Sequence, residues 1–277
     1  MAVVIGFIGA ALVAVLAWRL GALDAGGAVA AFGAGGIIFG FGGLGPSAAL
    51  LAFFLTGSFL SSLSARPGEA PLLRKEELAG GYARNWRQVV ANGFVPTVAM
   101  LAARFVPVHS MLLLDAFYGS IAAMCADSWG TEIGTRFGGR VYDAITGRVL
   151  ERGLSGGVSI AGLAASAGGA ALIALIAAIP LPVLAGGAPL RQNPGTIAAI
   201  FLAGLLGSVS DSILGSTVQA KYRDPETGSL CEVSRPAKTG TRHQKPLYGY
   251  KQINNNVVNF VASAIGALIV VVILASR

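Results

Sequence analysis

The sequence predicts an all-α protein, a polytopic transmembrane helix bundle of about eight helices. Composition comes first: 54% of the 277 residues are hydrophobic and only 12% charged, and the mean hydropathy is +0.69. A soluble domain carries about twice that share of charge. The second observation is that the apolar residues gather into eight runs near the roughly 20 residues a bilayer-spanning helix needs. The third is the polarity of the connections, which alternate between strongly basic and nearly uncharged. The chain reads as a single integral membrane domain over 1–277, with the lipid bilayer as its surroundings. The net charge of +7 does not point to nucleic acid, because the basic residues are interleaved with acids in the loops. Cys125 and Cys231 sit in unrelated contexts and form neither a disulfide framework nor a zinc-type spacing.

The runs fall at about 2–19, 23–42, 46–64, 88–106, 109–127, 157–180, 195–218 and 256–275. The first has no basic segment before it and no small-residue cleavage site, so it reads as a helix of the bundle and not as a signal peptide. The second is glycine-laden, and Gly36 and Gly40 form a GxxxG pair suited to close helix contact. After the third comes a solvated segment, 65–87, with the charged run RKEEL; its exit, ARNWRQVVANG, places Asn85, Gln88 and Asn92 on one helical face. If the eight helices alternate in direction, the connections after the first, third, fifth and seventh share a side and hold 17 of the 20 lysines and arginines. By the positive-inside rule that side is cytoplasmic. The expected location is therefore the cell inner membrane, with the active face toward the cytoplasm.

The candidate site is organised around Asp115–Gly138, DAFYGSIAAMCADSWGTEIGTRFG. The apolar run is expected to end at the inner surface in Asp127, Ser128, Thr131, Glu132 and Arg136, and carboxylates at such a place read as functional. Asp127, Thr131 and Gly134 are spaced i, i+4 and i+7 and face one way, an acid and a hydroxyl beside a glycine that admits a close ligand. Downstream, Gly156, Gly157 and Ser159 precede the sixth helix, a glycine-rich turn whose backbone N–H groups suit phosphate oxygens. The seventh run repeats the Asp-Ser pattern in SDSILGST, with Asp211 among columns of glycine and serine. Two carboxylates brought from two helices to one membrane face suit a divalent cation with oxygen ligands, as Mg²⁺ prefers. In the last inner loop, NNNVVN carries Asn254, Asn255, Asn256 and Asn259 into the eighth helix, with Asn256 and Asn259 as the expected inward hydrogen-bonders.

Six ordered blocks then identify a resemblance: FFLTGS (53–58), RNWRQVVANG (84–93), ADSWGTEIG (126–134), GGVS (156–159), GSVSDSILGSTVQ (207–219) and NNNVVN (254–259). Together they resemble the membrane proteins grouped under domain of unknown function 92, which include transmembrane protein 19 and the phytyl-phosphate kinase of vitamin E synthesis. This chain departs from them at Gly153-Leu154-Ser155, where relatives tend to carry Gly-Thr before the paired glycines. Asp127 to Gly138 also resembles, over a short stretch, the motif of dolichol and phytol kinases, which use CTP. The resemblance implies a membrane kinase that moves the terminal phosphoryl group of CTP, or ATP, to a prenyl monophosphate such as phytyl phosphate. On that reading Asp127 and Asp211 hold Mg²⁺, with Glu132 as a further ligand. Arg136, Arg140, Arg152, Lys238 and Lys245 neutralise phosphates, Arg136 as part of the catalytic set. Ser128, Thr131, Gly134, Gly156, Gly157 and Ser159 contact the substrates, and Asn92, Asn255, Asn256 and Asn259 order the site. No G-x-x-x-x-G-K-[ST] is present, so the chain is not a P-loop enzyme. The alternatives are a transporter or lipid flippase and a cytidylyltransferase acting on a lipid head; the glycine columns also leave a homo-oligomer open.

The charge asymmetry makes a prediction about orientation. Single cysteines at positions 75, 148 and 240 label only from the cytoplasmic side and one at 190 only from outside; external labelling of position 148 would reverse the bundle.

Overall fold

A computed structural model of the protein describes residues 1–64, 83–184, 192–225, 228–233 and 244–276. Its long helices are α1 (Ala2–Arg19), α2 (Ala25–Gly42), α3 (Leu44–Ser64), α4 (Trp86–Phe105), α5 (Ser110–Phe137), α6 (Ile160–Ala178), α7 (Pro194–Thr217) and α8 (Asn255–Ala275). All except α4 are both long and apolar enough to cross a membrane. Sequence chemistry sets their starts. Asp24, Ser159, Asn193 and Asn254 each turn a side-chain oxygen onto a backbone N–H of the first turn of α2, α6, α7 and α8. Asn85 forms a full capping box with Gln88 at the start of α4. Each cap satisfies a donor that would otherwise be orphaned at a helix end.

The bundle is arranged around α5, in which every residue from Leu114 to Ala126 is buried. Helices α3, α4, α6, α7 and α8 all pack on it, while α1 packs on α2 and α2 leans on α3 and α4. Such enclosure requires close backbone approach, and small residues supply it. A Cβ at Gly204 of α7 would lie 2.7 Å from the Ala170 methyl and 3.0 Å from that of Ala122, so α5, α6 and α7 meet at that point. The GxxxG pair does the same for α1 and α2: a Cβ on Gly36 would lie 2.6 Å from the Phe7 ring.

The alternation expected from the charges is present. At one end the α1–α2 turn joins the entry to α4 through Asp24 N–H to the Arg84 carbonyl (3.2 Å), and the α5–α6 connection meets the α7–α8 connection through Ser155 N–H to Glu232 Oε1 (2.6 Å). At the other end Gly45 N–H donates to the Pro182 carbonyl (3.1 Å), tying the α2–α3 turn to the α6–α7 connection.

Two features differ from the sequence expectation. Helix α5 does not stop where its apolar run stops, at 127, but continues for ten residues to Phe137. The reason is that Gly130 and Gly134 face α6: a Cβ at Gly134 would lie 3.2 Å from the Gly162 Cα, so these glycines sit in a helix contact and do not end the helix. In addition, the basic connections carry short strands. β1 (Val141–Asp143), β2 (Val149–Leu150) and β3 (Gly157–Val158) form an antiparallel sheet in the order β2-β1-β3, with Tyr142 opposite Val149 and Asp143 opposite Gly157. β4 (Tyr222–Arg223) pairs with β5 (Leu230–Cys231). The RKEEL segment, Lys238, Arg242 and His243 lie outside the described residues.

The packing around α5 gives a stability prediction. A Cβ at Gly169 of α6 would sit 2.7 Å from the Cys125 carbonyl oxygen, an atom of helix backbone that cannot swing aside. Gly169→Ala therefore destabilises the bundle by about 1–3 kcal/mol, the range for an overpacked core. Gly33→Ala, whose methyl meets nothing within 4 Å, is neutral or stabilising. Thermal melts of both variants in detergent measure the difference, and equal melts would contradict the packing account.

Candidate active site

At the end of the bundle where the basic connections gather, the helices spread around a cavity of about 680 Å³. Asp127, Ser128 and Thr131 of α5 and Asp211 and Ser212 of α7 line it, with Asn92 of α4 and Asn255 and Asn259 of α8. Asp127 lies ten residues and Asp211 six residues before the last residue of its helix. At 1.5 Å per residue that sets the carboxylates about 15 Å and about 9 Å inside the helix ends. The site is thus within the bundle and not at its mouth.

The two carboxylates are close enough for their charges to interact. A carboxylate in such a place requires donors or a cation. With its nitrogen facing the acid, the Asn259 amide donates to Asp211 Oδ2 (3.1 Å) and to the Asn255 carbonyl (3.1 Å), and its oxygen accepts from the Asn92 side-chain amide (3.2 Å). One carboxamide thereby links α4, α7 and α8. Beside it, Ser166 of α6 and Ser208 of α7 share a hydrogen bond of 3.1 Å. On the other flank, Ser61 of α3 donates to Glu132 Oε1 at 2.5 Å. On the core side, α5 from Ile121 to Ala126 is wholly apolar and buried.

Among the described residues no three His, Cys, Asp or Glu side chains converge as a metal-binding group. Asp127 and Asp211 form a two-carboxylate set with the Ser128, Thr131 and Ser212 hydroxyls nearby. That donor set fits an ion that keeps several waters and takes one or two carboxylates, which is the habit of Mg²⁺ and not of an all-protein cage.

The connections form a platform over the cavity. Glu232 Oε1 accepts from Ser155 N–H (2.6 Å), and Gln219 Nε2 donates both to Glu232 Oε2 (2.8 Å) and to Ser155 Oγ (2.9 Å). Burial pushes the Glu232 carboxyl above its ordinary range against these donors and Lys221, and burial pulls Lys221 down against Glu232 and Asp143. Asp143 behaves oppositely. Partial burial raises its carboxyl, but the Thr146 N–H, the Ser216 and Thr146 hydroxyls and the Ile145 N–H overcome that and hold it at about 2. Ser216 Oγ donates to Asp143 Oδ2 at 2.7 Å, which fastens the β1–β2 turn to the end of α7.

Of the residues singled out in the sequence, Asp127, Asp211, Glu132, Asn92, Ser128, Thr131, Gly134, Gly156, Gly157, Ser159, Asn255 and Asn259 all reach the cavity wall. Several have structural tasks there. Gly134 admits α6, Ser159 caps α6 through Gly162 N–H (3.1 Å), and Gly156, at φ +86°, lies where a Cβ would meet Ser216 backbone at 2.5 Å. Gly156 thus lets the loop close on α7, while Gly157 faces Val141 of β1.

The expected cations stand elsewhere. Arg136 donates to the Leu63 carbonyl and lies over the Phe137 ring, Arg152 Nε donates to the Gly139 carbonyl (2.9 Å), and Arg140 and Lys245 are exposed. Lys238 lies outside the described residues. Asn256 is off the wall because α8 starts at the Asn254 cap, which turns Asn255 and Asn259, one turn apart, toward the cavity. Sequence reading gave no site role to Glu232, Ser58, Ser61 or Arg84, all of which line it. Arg84 and Ser58 fall inside the motif blocks, whereas Glu232 sits in a polar loop with no pattern to mark it.

The chain matches the profile of an integral membrane protein family, DUF92, over residues 8–267. It belongs to the DUF92 family. One relative in this family, the protein PGR of Arabidopsis thaliana, is 31% identical over 267 residues, which is 91% of this chain and 88% of that protein. An uncharacterized membrane protein of Methanocaldococcus jannaschii is 26% identical over 172 residues, 62% of this chain and 64% of its own length. No solved structure matches the chain.

Asp143 generates a pH prediction. Its folded pKa of about 2 lies below the unfolded value of about 3.9. The stability it contributes is therefore fully present above about 3.9 and lost as pH falls through about 2. Protection of the β1–β2 turn amides, taken as the exchange rate relative to the intrinsic rate at each pH, stays flat from neutral pH down to about 4 and falls below that, while Asp143→Asn removes this dependence. A turn that loosens between pH 5 and 7 would contradict the assignment.

Proposed function

We propose that the protein is a membrane kinase that transfers the terminal phosphoryl group of a nucleoside triphosphate, CTP by preference, to a prenyl monophosphate. The observation that carries this reading is the pair Asp127 and Asp211, set by two helices into one polar cavity at the basic end of the bundle. Phosphoryl transfer asks little covalent chemistry of a protein; it depends on positioning and on neutralising charge. An oxygen of the prenyl monophosphate attacks the terminal phosphorus, the bond from that phosphorus to the bridging oxygen of the nucleotide breaks, and a diphosphate and a nucleoside diphosphate leave. Bound Mg²⁺ supplies charge neutralisation of the phosphates. Asp127 and Asp211 hold it, Asn259 fixes the Asp211 carboxylate, and Ser128, Thr131 and Ser212 position oxygens. The apolar stretch of α5 from Ile121 to Ala126 keeps water from the core side. Arg84 is the one lysine or arginine on the cavity wall among the described residues, so this reading gives the ion a larger share of the neutralisation than the exposed arginines.

The same apolar stretch of α5 favours an enzyme over a transporter, since a conduit would carry polar groups through this level of the bundle. The motif resemblance to prenyl-phosphate kinases within the family points the same way.

If the two carboxylates act as one unit, Asp127→Asn and Asp211→Asn each lower turnover of radiolabelled nucleotide on the order of 100-fold or more, beyond the loss of a supporting metal contact. The double variant is no worse than either single one. Retention of the wild-type melting profile shows that the bundle is intact. Substantial activity in either single variant would remove that carboxylate from the mechanism.

A further inference from the structure

A second, smaller cavity of about 90 Å³ opens beside the first, in the crevice between α1 and α3 over α2. Its walls are apolar: Ala14 and Ala17 of α1, Gly35 and Ile38 of α2, Leu51 and Phe54 of α3. Small side chains on α1 and α2 leave the space, and the facing leucine and phenylalanine limit its width. The crevice adjoins the polar cavity, for Arg84, Gln88 and Asn92 line both. At that junction the Arg84 guanidinium lies 5.9 Å from the centres of both the Phe53 and Phe54 rings. A cation set where an apolar slot adjoins a polar chamber complements a ligand with an anionic head and a hydrocarbon tail.

We infer that this crevice receives the head-proximal segment of the hydrocarbon chain of a single-chain lipid phosphate, whose phosphate passes Arg84 into the polar cavity. The inference rests on the reading of that cavity as a lipid-phosphate site and adds the tail's path. The crevice, about 90 Å³ and narrowed by Leu51 and Phe54, suits a short length of one chain better than the glycerol and two chains of a diacyl lipid. The remainder of the chain lies in the bilayer against the exposed apolar faces of α1 and α3, such as Leu12, Leu16, Leu55 and Phe59. Chain length beyond the first unit is then read weakly, and the shape of the first unit strongly.

The test uses the full-length protein in nanodiscs and a farnesyl monophosphate with a diazirine on the unit next to the phosphate. Photolysis labels α1, α3 and the start of α4. Excess unlabelled farnesyl monophosphate removes the labelling, and dioleoyl phosphatidic acid does not. Val13→Phe, which fills the crevice from a half-buried position on α1, lowers the labelling at least tenfold. Leu51→Ala, which widens it, keeps the labelling and accepts a probe with a bulkier first unit. Labels confined to α6, α7 or α8, equal competition by phosphatidic acid, or unchanged labelling in Val13→Phe would overturn the inference. If Val13→Phe fails to fold, the wild-type label map and Leu51→Ala decide. Labelling in the crevice without diphosphate formation would overturn the kinase and keep the crevice, and diphosphate formation with labels elsewhere would do the reverse.

Discussion

The enclosure of α5 is the constraint from which the remaining architecture follows. A helix buried from Leu114 to Ala126 needs neighbours on all sides, and five helices supply them. Their axes come close only where a Cβ is absent or small, at Gly169, Gly204 and Gly207 for example, where added methyls would lie 2.4–2.7 Å from α5 or α6 atoms. In a bilayer this packing does the work that hydrophobic burial does in water, because lipid offers apolar side chains no less favourable a home than protein does. Dense packing through the middle leaves the cavity at the end where α5 turns polar.

That change of character along one continuous helix explains the site. Asp127 and Thr131 follow the apolar stretch without a break in the backbone, so their positions are fixed by a rigid element and not by a loop. Asp211 is held in the same manner by α7, and the Asn259 amide ties it to α4 and α8. The flanking connections are less regular, yet their polar groups are paired: Glu232 with Ser155 and Gln219, Asp143 with Ser216 and its own turn. A site with rigid walls and a fastened cover is the arrangement that charge stabilisation requires, since dipoles that must reorganise lose much of their effect.

How much of this was legible depended on the kind of signal. Hydropathy and basic loops located eight helices and the end at which they carry charge, because lipid tolerates few other patterns. It failed at the C-terminal end of α5, where polar residues face a cavity inside the bundle and look, in sequence, like the end of a helix. The carboxylates and amides that line the cavity were legible as polar residues in apolar surroundings. The arginines were not, for Arg136 and Arg152 are spent on backbone carbonyls of Leu63 and Gly139, pairings that no local pattern encodes. Asn256 was misplaced by a single residue because the Asn254 cap sets the phase of α8. Glu232 was invisible, since its place depends on a contact with Ser155 across 77 positions of sequence.

The central claim is that the polar cavity performs phosphoryl transfer to a lipid monophosphate. Purified protein with Mg²⁺ and terminally radiolabelled CTP or ATP is given matched prenyl monophosphates and free prenyl alcohols, and products are separated as lipid diphosphate or monophosphate. The account predicts labelled prenyl diphosphate from the monophosphates, dependent on Mg²⁺ and little affected by tail length, with the alcohols poor substrates. Efficient phosphorylation of the alcohols, or no transfer to any monophosphate with either nucleotide, would contradict it.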